Sequence, residues 1–221
     1  MMACKGWPVR ESILSAMNDT TLPALPAVPA VAADAAGGHH AQFVAWLRQV
    51  APYVHAHRGR TFVVAFSGGM IKAGLLNALV HDVSLLVAMG IRIVLVYGSR
   101  PQVQEQLALK GIATSFHNDV RITDAAALEC AKEAAGEIRL DIEAAFSQGL
   151  PSTPMAHSKV RVVSGNFVTA RPMGVIDGVD LQLTGVVRKI DTEALRFVLS
   201  NAGLALLSPL VGPLLDRMRS G

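Results

Sequence analysis

Cysteine is scarce in this chain. Only two occur, Cys4 and Cys130, far apart and without CxxC spacing. That excludes a disulfide framework and leaves a zinc site without support. The plainer reading is a thiol near the N-terminus and a small helix-packing residue, both suited to a reducing cytoplasm. Charge is sparse as well, at 17% of residues, with a formal excess of +3 and a pI near 9.1. There is no run of Lys or Arg, and aromatics supply only 5%. A basic stripe interleaved with aromatic rings is therefore absent, and nucleic acid is not an expected partner. No apolar run reaches the length of a membrane span. The most apolar stretch near the start, Leu22 to Ala33, is broken by Pro23, Pro26 and Pro29, unlike the core of a signal peptide. Neither a signal nor a membrane anchor is expected, and the chain is placed in the cytoplasm.

What is present is apolar mass. Hydrophobic residues make up 51% of 221, enough to bury the core of one large α/β domain. Residues 1–38 are Ala/Pro-rich and end in Gly37-Gly38; prolines at that density oppose helix and strand alike, so a disordered extension is expected. His39 and His40 are placed at its flexible end. The folded domain is expected over 39–210, with a tail over 211–221.

Beyond residue 39 the periodicity is regular. Phe43, Leu47, Val50 and Val54 recur at helical spacing, with Trp46 on the adjoining face and Pro52 as an expected kink. Thr61 to Phe66 reads as a buried strand closed by Ser67-Gly68-Gly69. Leu75, Leu79, Val83 and Leu86 mark an amphipathic helix stopped at Gly90. Ile91 to Val96 is a second strand, Tyr97-Gly98-Ser99-Arg100 its turn, and Pro101 opens a helix ending near Gly111. Thr123 is the expected N-cap of a helix from Asp124 to about Phe146. Val160–Val163 and Phe167–Ala170 read as strands, and 174–188 as hairpins. Asp191 or Thr192 caps another helix, and Leu204 to Leu207 is a last short strand. Strand, glycine turn and helix in alternation imply a mainly parallel sheet with helices on both faces.

Such sheets bind ligands beyond the carboxyl ends of their strands. Two glycine turns fall there. Gly68 and Gly69 precede a helix, and their N–H groups are suited to an anion. Gly98 and Ser99 repeat the arrangement, and Arg100 adds a fork for carboxylate or phosphate. Either turn taken alone is equally a tight turn, and Arg100 a solvated surface cation. Arg121 would hold a substrate carboxylate or pair with Asp124. Asn166 would bond an amide or carboxylate, or serve as a turn residue. His81, next to Asp82, is expected to be exposed. No GxGxxG or GxxxxGK[ST] pattern occurs, which removes the ordinary dinucleotide and P-loop readings. No nucleophile pattern occurs among the seven histidines.

Four segments carry a family resemblance. They are Phe62-Val63-Val64-Ala65-Phe66-Ser67-Gly68-Gly69, Ile93 to Gln102 through Tyr97-Gly98-Ser99-Arg100, Arg121-Ile122-Thr123-Asp124, and Val162-Val163-Ser164-Gly165-Asn166-Phe167. Asp177-Gly178-Val179-Asp180 and Thr184-Gly185-Val186-Val187-Arg188-Lys189-Ile190-Asp191 extend the pattern. From about His40 to Pro209 the chain resembles the kinase-like half of bacterial two-domain N-acetylglutamate synthases. The resemblance implies a three-layer α/β sandwich of the amino-acid kinase, acetylglutamate kinase-like type, here C-terminally incomplete. It implies the reaction of acetyl-CoA with L-glutamate to give N-acetylglutamate, the first step of arginine biosynthesis. Acetyl-CoA is its co-substrate and no metal is called for. The family's acetyltransferase domain would follow this segment, so the chain on its own is expected to be inactive, with no catalytic residue of its own. L-Arginine is the implied effector, with Tyr53 on the N-terminal helix as its contact, and a homo-oligomer is implied.

The sister family, acetylglutamate kinase, is the alternative enzyme reading, and a non-catalytic assembly module is a third. The kinases carry a Lys two residues before Gly-Gly and a His followed by three glycines in the second turn. This chain has Phe66 and Tyr97-Gly98-Ser99-Arg100 at those places. An apolar ring cannot do the work of a phosphate-binding cation. Gly68, Gly69, Gly98, Ser99, Arg100, Arg121 and Asn166 are thus expected to line a vestigial kinase-like pocket. Met70 stands where synthases commonly carry an acid.

Overall fold

A computed structural model describes residues 39–148 and 160–208. The expected extension over 1–38 and the tail over 211–221 lie outside the described residues.

The first element, helix α1 (His39–His57), begins at the two histidines assigned above to a flexible end, and runs through Pro52. Proline removes one helical hydrogen bond, and here the helix continues past it. Strand β1 (Thr61–Phe66) has the expected bounds. A five-residue helix α2 (Gly68–Lys72), a turn at Gly74 and helix α3 (Leu76–Ala88) follow. Strand β2 (Arg92–Tyr97) then leads through Ser99 into helix α4 (Arg100–Leu109).

A short hairpin, β3 (Phe116–His117) and β4 (Val120–Arg121), precedes the 24-residue helix α5 (Ala125–Gln148). Its cap differs from expectation by one residue. Asp124 Oδ1 accepts the Ala127 N–H at 2.7 Å, while Thr123 Oγ1 is bonded to Thr184 Oγ1 at 3.0 Å. Both residue types cap well; register decides between them.

Strand β5 (Arg161–Ser164) returns to the sheet. Strand β6 (Val168–Pro172) pairs antiparallel with β9 (Gly185–Ile190), with an irregularity between Thr169 and Ala170. The small hairpin β7 (Val175–Ile176) and β8 (Val179–Asp180) lies between them in sequence. Helix α6 (Thr192–Ala202) is capped by Asp191, whose Oδ1 accepts the Ala194 N–H at 2.9 Å. Gly203, at φ +80°, turns α6 directly into strand β10 (Gly203–Leu207). A side chain at that angle would be strained.

The main sheet is parallel, in the order β1-β2-β10-β5. The last strand among the described residues therefore occupies the interior of the sheet. Alternate residues of β2 face opposite layers, as a doubly covered strand requires. Ile93, Leu95 and Tyr97 join Val80 and Val83 of α3 and Ile138, Ile142 and Phe146 of α5. Val94 and Val96 meet Leu195 and Leu199 of α6 and Val168 of β6. A third cluster locks α4 to α5 through Val103, Leu107, Ala131 and the buried Cys130. Three layers around a parallel sheet are what the alternation of elements predicts.

The first part of the α1 stripe stays in solvent, with Phe43 60% exposed, Trp46 57% and Leu47 50%, while Val50 and Val54 are half-buried. The helix touches the body at its C-terminal end, where His57 meets the Phe62 ring edge-on with centroids 5.3 Å apart. Among the described residues no helix is long and apolar enough to cross a membrane.

Candidate functional site

The carboxyl ends of β1 and β2 sit side by side because Phe66 pairs with Tyr97. The two glycine turns are thereby pressed together, and Gly98 N–H donates to Phe66 O at 2.9 Å. Gln102, one turn into α4, donates its Nε2 to Gly68 O at 2.8 Å. A Cβ on Gly68 would run into Gln102 Oε1 and lie 2.7 Å from Gly98 O. Packing alone accounts for glycine at 68. Gly69 has room, with only Ser67 Oγ near a built Cβ at 3.5 Å. Ser99 is buried beneath the second turn. Phe66 is buried too, its ring in the core shared with α3 and α5. The position at which the resemblance to the kinases sets a lysine is thus filled by an aromatic ring turned into the protein.

Arg100 and Arg121 do come together. Their guanidinium carbons lie 5.1 Å and 4.8 Å from the centroid of the same ring, Phe116. Arg121 also donates from Nη1 to Thr114 Oγ1 at 3.1 Å and from Nη2 to Gln104 Oε1 at 3.2 Å. Its backbone is held by Thr184, whose hydroxyl donates to Arg121 O at 2.6 Å. Of the two readings of Arg121, pairing with Asp124 does not occur, since Asp124 is spent on the α5 cap. Burial, and then the Arg100 charge, lower the Arg121 pKa. Among the described residues no carboxylate bridges either arginine. Two cations held by a ring and by neutral oxygens attract an anion. The sequence reading passed over Phe116. Its signal was faint: a two-residue strand before the left-handed pair Asn118 (φ 47°) and Asp119 (φ 62°).

Asn166 lies elsewhere. It borders a half-open cavity of about 200 Å³ over the ends of β2, β10 and β5. Tyr97, Arg139, Ser164 and Ser208 share that lining, whereas Gly68, Gly69, Gly98, Ser99 and Arg100 do not. The Tyr97 hydroxyl donates to Ala135 O of α5 at 3.0 Å, and burial raises its pKa. Arg139 was not singled out in the sequence; it reads there as an ordinary exposed helix charge.

Tyr53, half-buried on α1, lies one helical turn before His57. His57 docks at Phe62, near the amino end of β1, whereas the glycine turns cap its carboxyl end. Four residues of strand, on the order of 13 Å, separate these levels. Among the described residues no group of three His, Cys, Asp or Glu is placed to hold a metal ion.

The amino acid kinase family matches residues 60–214. The amino-acid acetyltransferase of Ralstonia nicotianae is 64% identical over 169 residues, which cover 76% of this chain and 38% of that protein. The amino-acid acetyltransferase of Ectopseudomonas mendocina is 49% identical over 168 residues, 76% of this chain and 39% of its own length. A crystal structure of N-acetylglutamate synthase from Neisseria gonorrhoeae, complexed with coenzyme A and L-arginine, superposes with a TM-score of 0.69 at 40% identity. A second, complexed with coenzyme A and N-acetyl-glutamate, gives 0.66. They are matched over 76% of this chain and 39% and 37% of theirs. The chain thus spans about two fifths of the length of these relatives. The similarity seen in the sequence motifs and the expected sandwich fold are both borne out.

Proposed function

The chain belongs to the amino acid kinase family, and on that premise we propose that it is the kinase-like, regulatory portion of an N-acetylglutamate synthase. The reaction served is acetyl transfer from acetyl-CoA to L-glutamate, at the head of arginine biosynthesis, in the cytoplasm. The chemistry belongs to residues beyond the matched two fifths, and acetyl-CoA and glutamate are bound there. This portion responds to L-arginine, with Tyr53 of α1 among the contacts.

The observation that carries the reading is Phe66. The fold of a small-molecule kinase is kept, but a buried aromatic ring occupies the place where phosphoryl transfer needs a cation. The glycine turns, Arg100 and Arg121 are then remnants of a kinase-like pocket, and the paired arginines keep its preference for anions. The uncovered stripe on α1 supports a homo-oligomer, because exposed apolar side chains at helical spacing suit packing against a second helix.

Two turnover assays on the chain test this. With acetyl-CoA and L-glutamate, no release of coenzyme A above the uncatalysed rate is expected. With ATP and N-acetylglutamate, no ADP is expected. ADP formation would restore the kinase alternative, and coenzyme A release would place acetyl transfer within these residues.

A further inference from the structure

The cavity beside β5 has a chemistry that the reading above leaves unused. It lies over three adjacent strand ends, the position at which parallel sheets receive ligands. Among its lining residues only Arg139 is charged. Arg139 projects from α5 and is half exposed. Its one ionic partner among the described residues is Glu143, one turn on, reached by Nε at 3.5 Å. That contact is long for a charge-assisted bond. It leaves both Nη groups of the fork without a partner among the described residues.

Glu143 does a second thing. Its Oε1 accepts the Ser164 hydroxyl at 3.1 Å, tying the end of β5 to α5 and fixing one wall of the cavity. The floor is neutral: the Tyr97 hydroxyl is buried, donates a hydrogen bond to Ala135 O, and stays protonated. At the rim, Gly165 and Asn166 are exposed. A Cβ at 165 would lie 3.0 Å from the Phe167 ring, so the rim stays bare there. The space, about 200 Å³, is that of about seven water molecules at ~30 Å³ each. This suits a molecule of a few carbons.

We propose that this cavity is a binding site for a small monoanionic carboxylate, taken in a two-pronged grip by the Arg139 Nη groups and completed by the side chain of Asn166. One guanidinium fork matches one carboxylate. A phosphate dianion would find no second cation in the lining and would meet the Glu143 charge close by. The site is separate from the Arg100 and Arg121 pair, and it does not depend on the proposed regulatory role.

The test uses the full chain at micromolar concentration and phenylglyoxal, which modifies free guanidinium groups. Modification of each arginine is followed by peptide mass spectrometry with increasing sodium propionate at constant ionic strength. Arg196, exposed on α6, is the internal reference. Propionate should slow modification of Arg139 saturably, by about fivefold at a millimolar half-effect, and leave Arg196 unchanged. Asn166→Asp, which sets a negative charge at the rim, should remove most of that protection while the Arg196 rate stays the same. L-Alanine, whose zwitterion brings an ammonium beside the guanidinium, should protect less well than propionate, and better protection by alanine would overturn the assignment to a monoanion. Equal slowing at Arg139 and Arg196, no protection at Arg139, or protection undiminished in Asn166→Asp would each overturn the proposal.

Discussion

Helices α1 and α5 carry the same kind of signal and meet different fates. Both repeat apolar residues at helical spacing, and both form long helices. In α5 the stripe from Ala127 to Phe146 is buried, with Ile138 at 1% exposure. In α1 the stripe from Phe43 to Leu47 stands in solvent. Periodicity fixes that a helix will form and which face is apolar. It is silent on what covers that face. For α5 the cover is β2, α3 and α4 of this same chain. For α1 the cover reaches only the C-terminal half, where Val50, Tyr53 and Val54 are half-buried.

The contrast can be pressed hardest in the core. Ile138→Ala should cost about 2–5 kcal/mol, the usual toll of a buried cavity, seen as a lower midpoint in urea. A cost under about 1 kcal/mol would mean that the α5 interface is loose. Gly68→Ala comes next. Its Cβ would strike Gln102 and crowd Gly98 O, an overpacking cost of about 1–3 kcal/mol. A neutral result in the same denaturation would show that α4 yields easily.

Tyr97→Phe probes a single tie between β2 and α5. Loss of the bond to Ala135 O should cost about 1 kcal/mol. Because burial holds the Tyr97 pKa above its ordinary value near 10, the unfolded chain loses that proton first. The stabilisation is whole below about pH 10 and declines as pH rises through the folded pKa. Tyr97→Phe should flatten that alkaline fall, and an unchanged slope would assign it to other groups. Phe43→Ala, in α1, should change stability least, by under about 0.5 kcal/mol, yet reduce self-association in light scattering. A loss as large as that of Ile138→Ala would show α1 to be as well covered as α5.

Much of the scaffold was legible beforehand because it rests on local rules. β1 was read to the residue, since Thr61 and the apolar run Phe62 to Phe66, set between Arg60 and a Ser-Gly-Gly turn, leave little freedom. The position of β10 was not. Leu204 to Leu207 read as a last strand, but only pairing with β2 and β5 reveals it as central. The candidate site divided in the same way. Gly68, Gly98 and Arg100 were found because turns and strand ends follow one another in sequence. Phe116 was missed because its strand is two residues long, and Arg139 because it meets Tyr97 only after α5 folds back along the sheet. Asn166 was assigned to the glycine turns but lines the cavity at β5. The strand that separates them, β10, comes 37 residues later, at Gly203.

The proposed function makes the kinase-like body a sensor of L-arginine. Its most direct test is thermal unfolding of the chain with rising L-arginine, alongside Tyr53→Ala. A ligand that binds only the folded state must raise the midpoint. A cooperative transition is expected whose midpoint climbs with arginine and climbs less in Tyr53→Ala. A cooperative melt that ignores arginine would contradict the regulatory role.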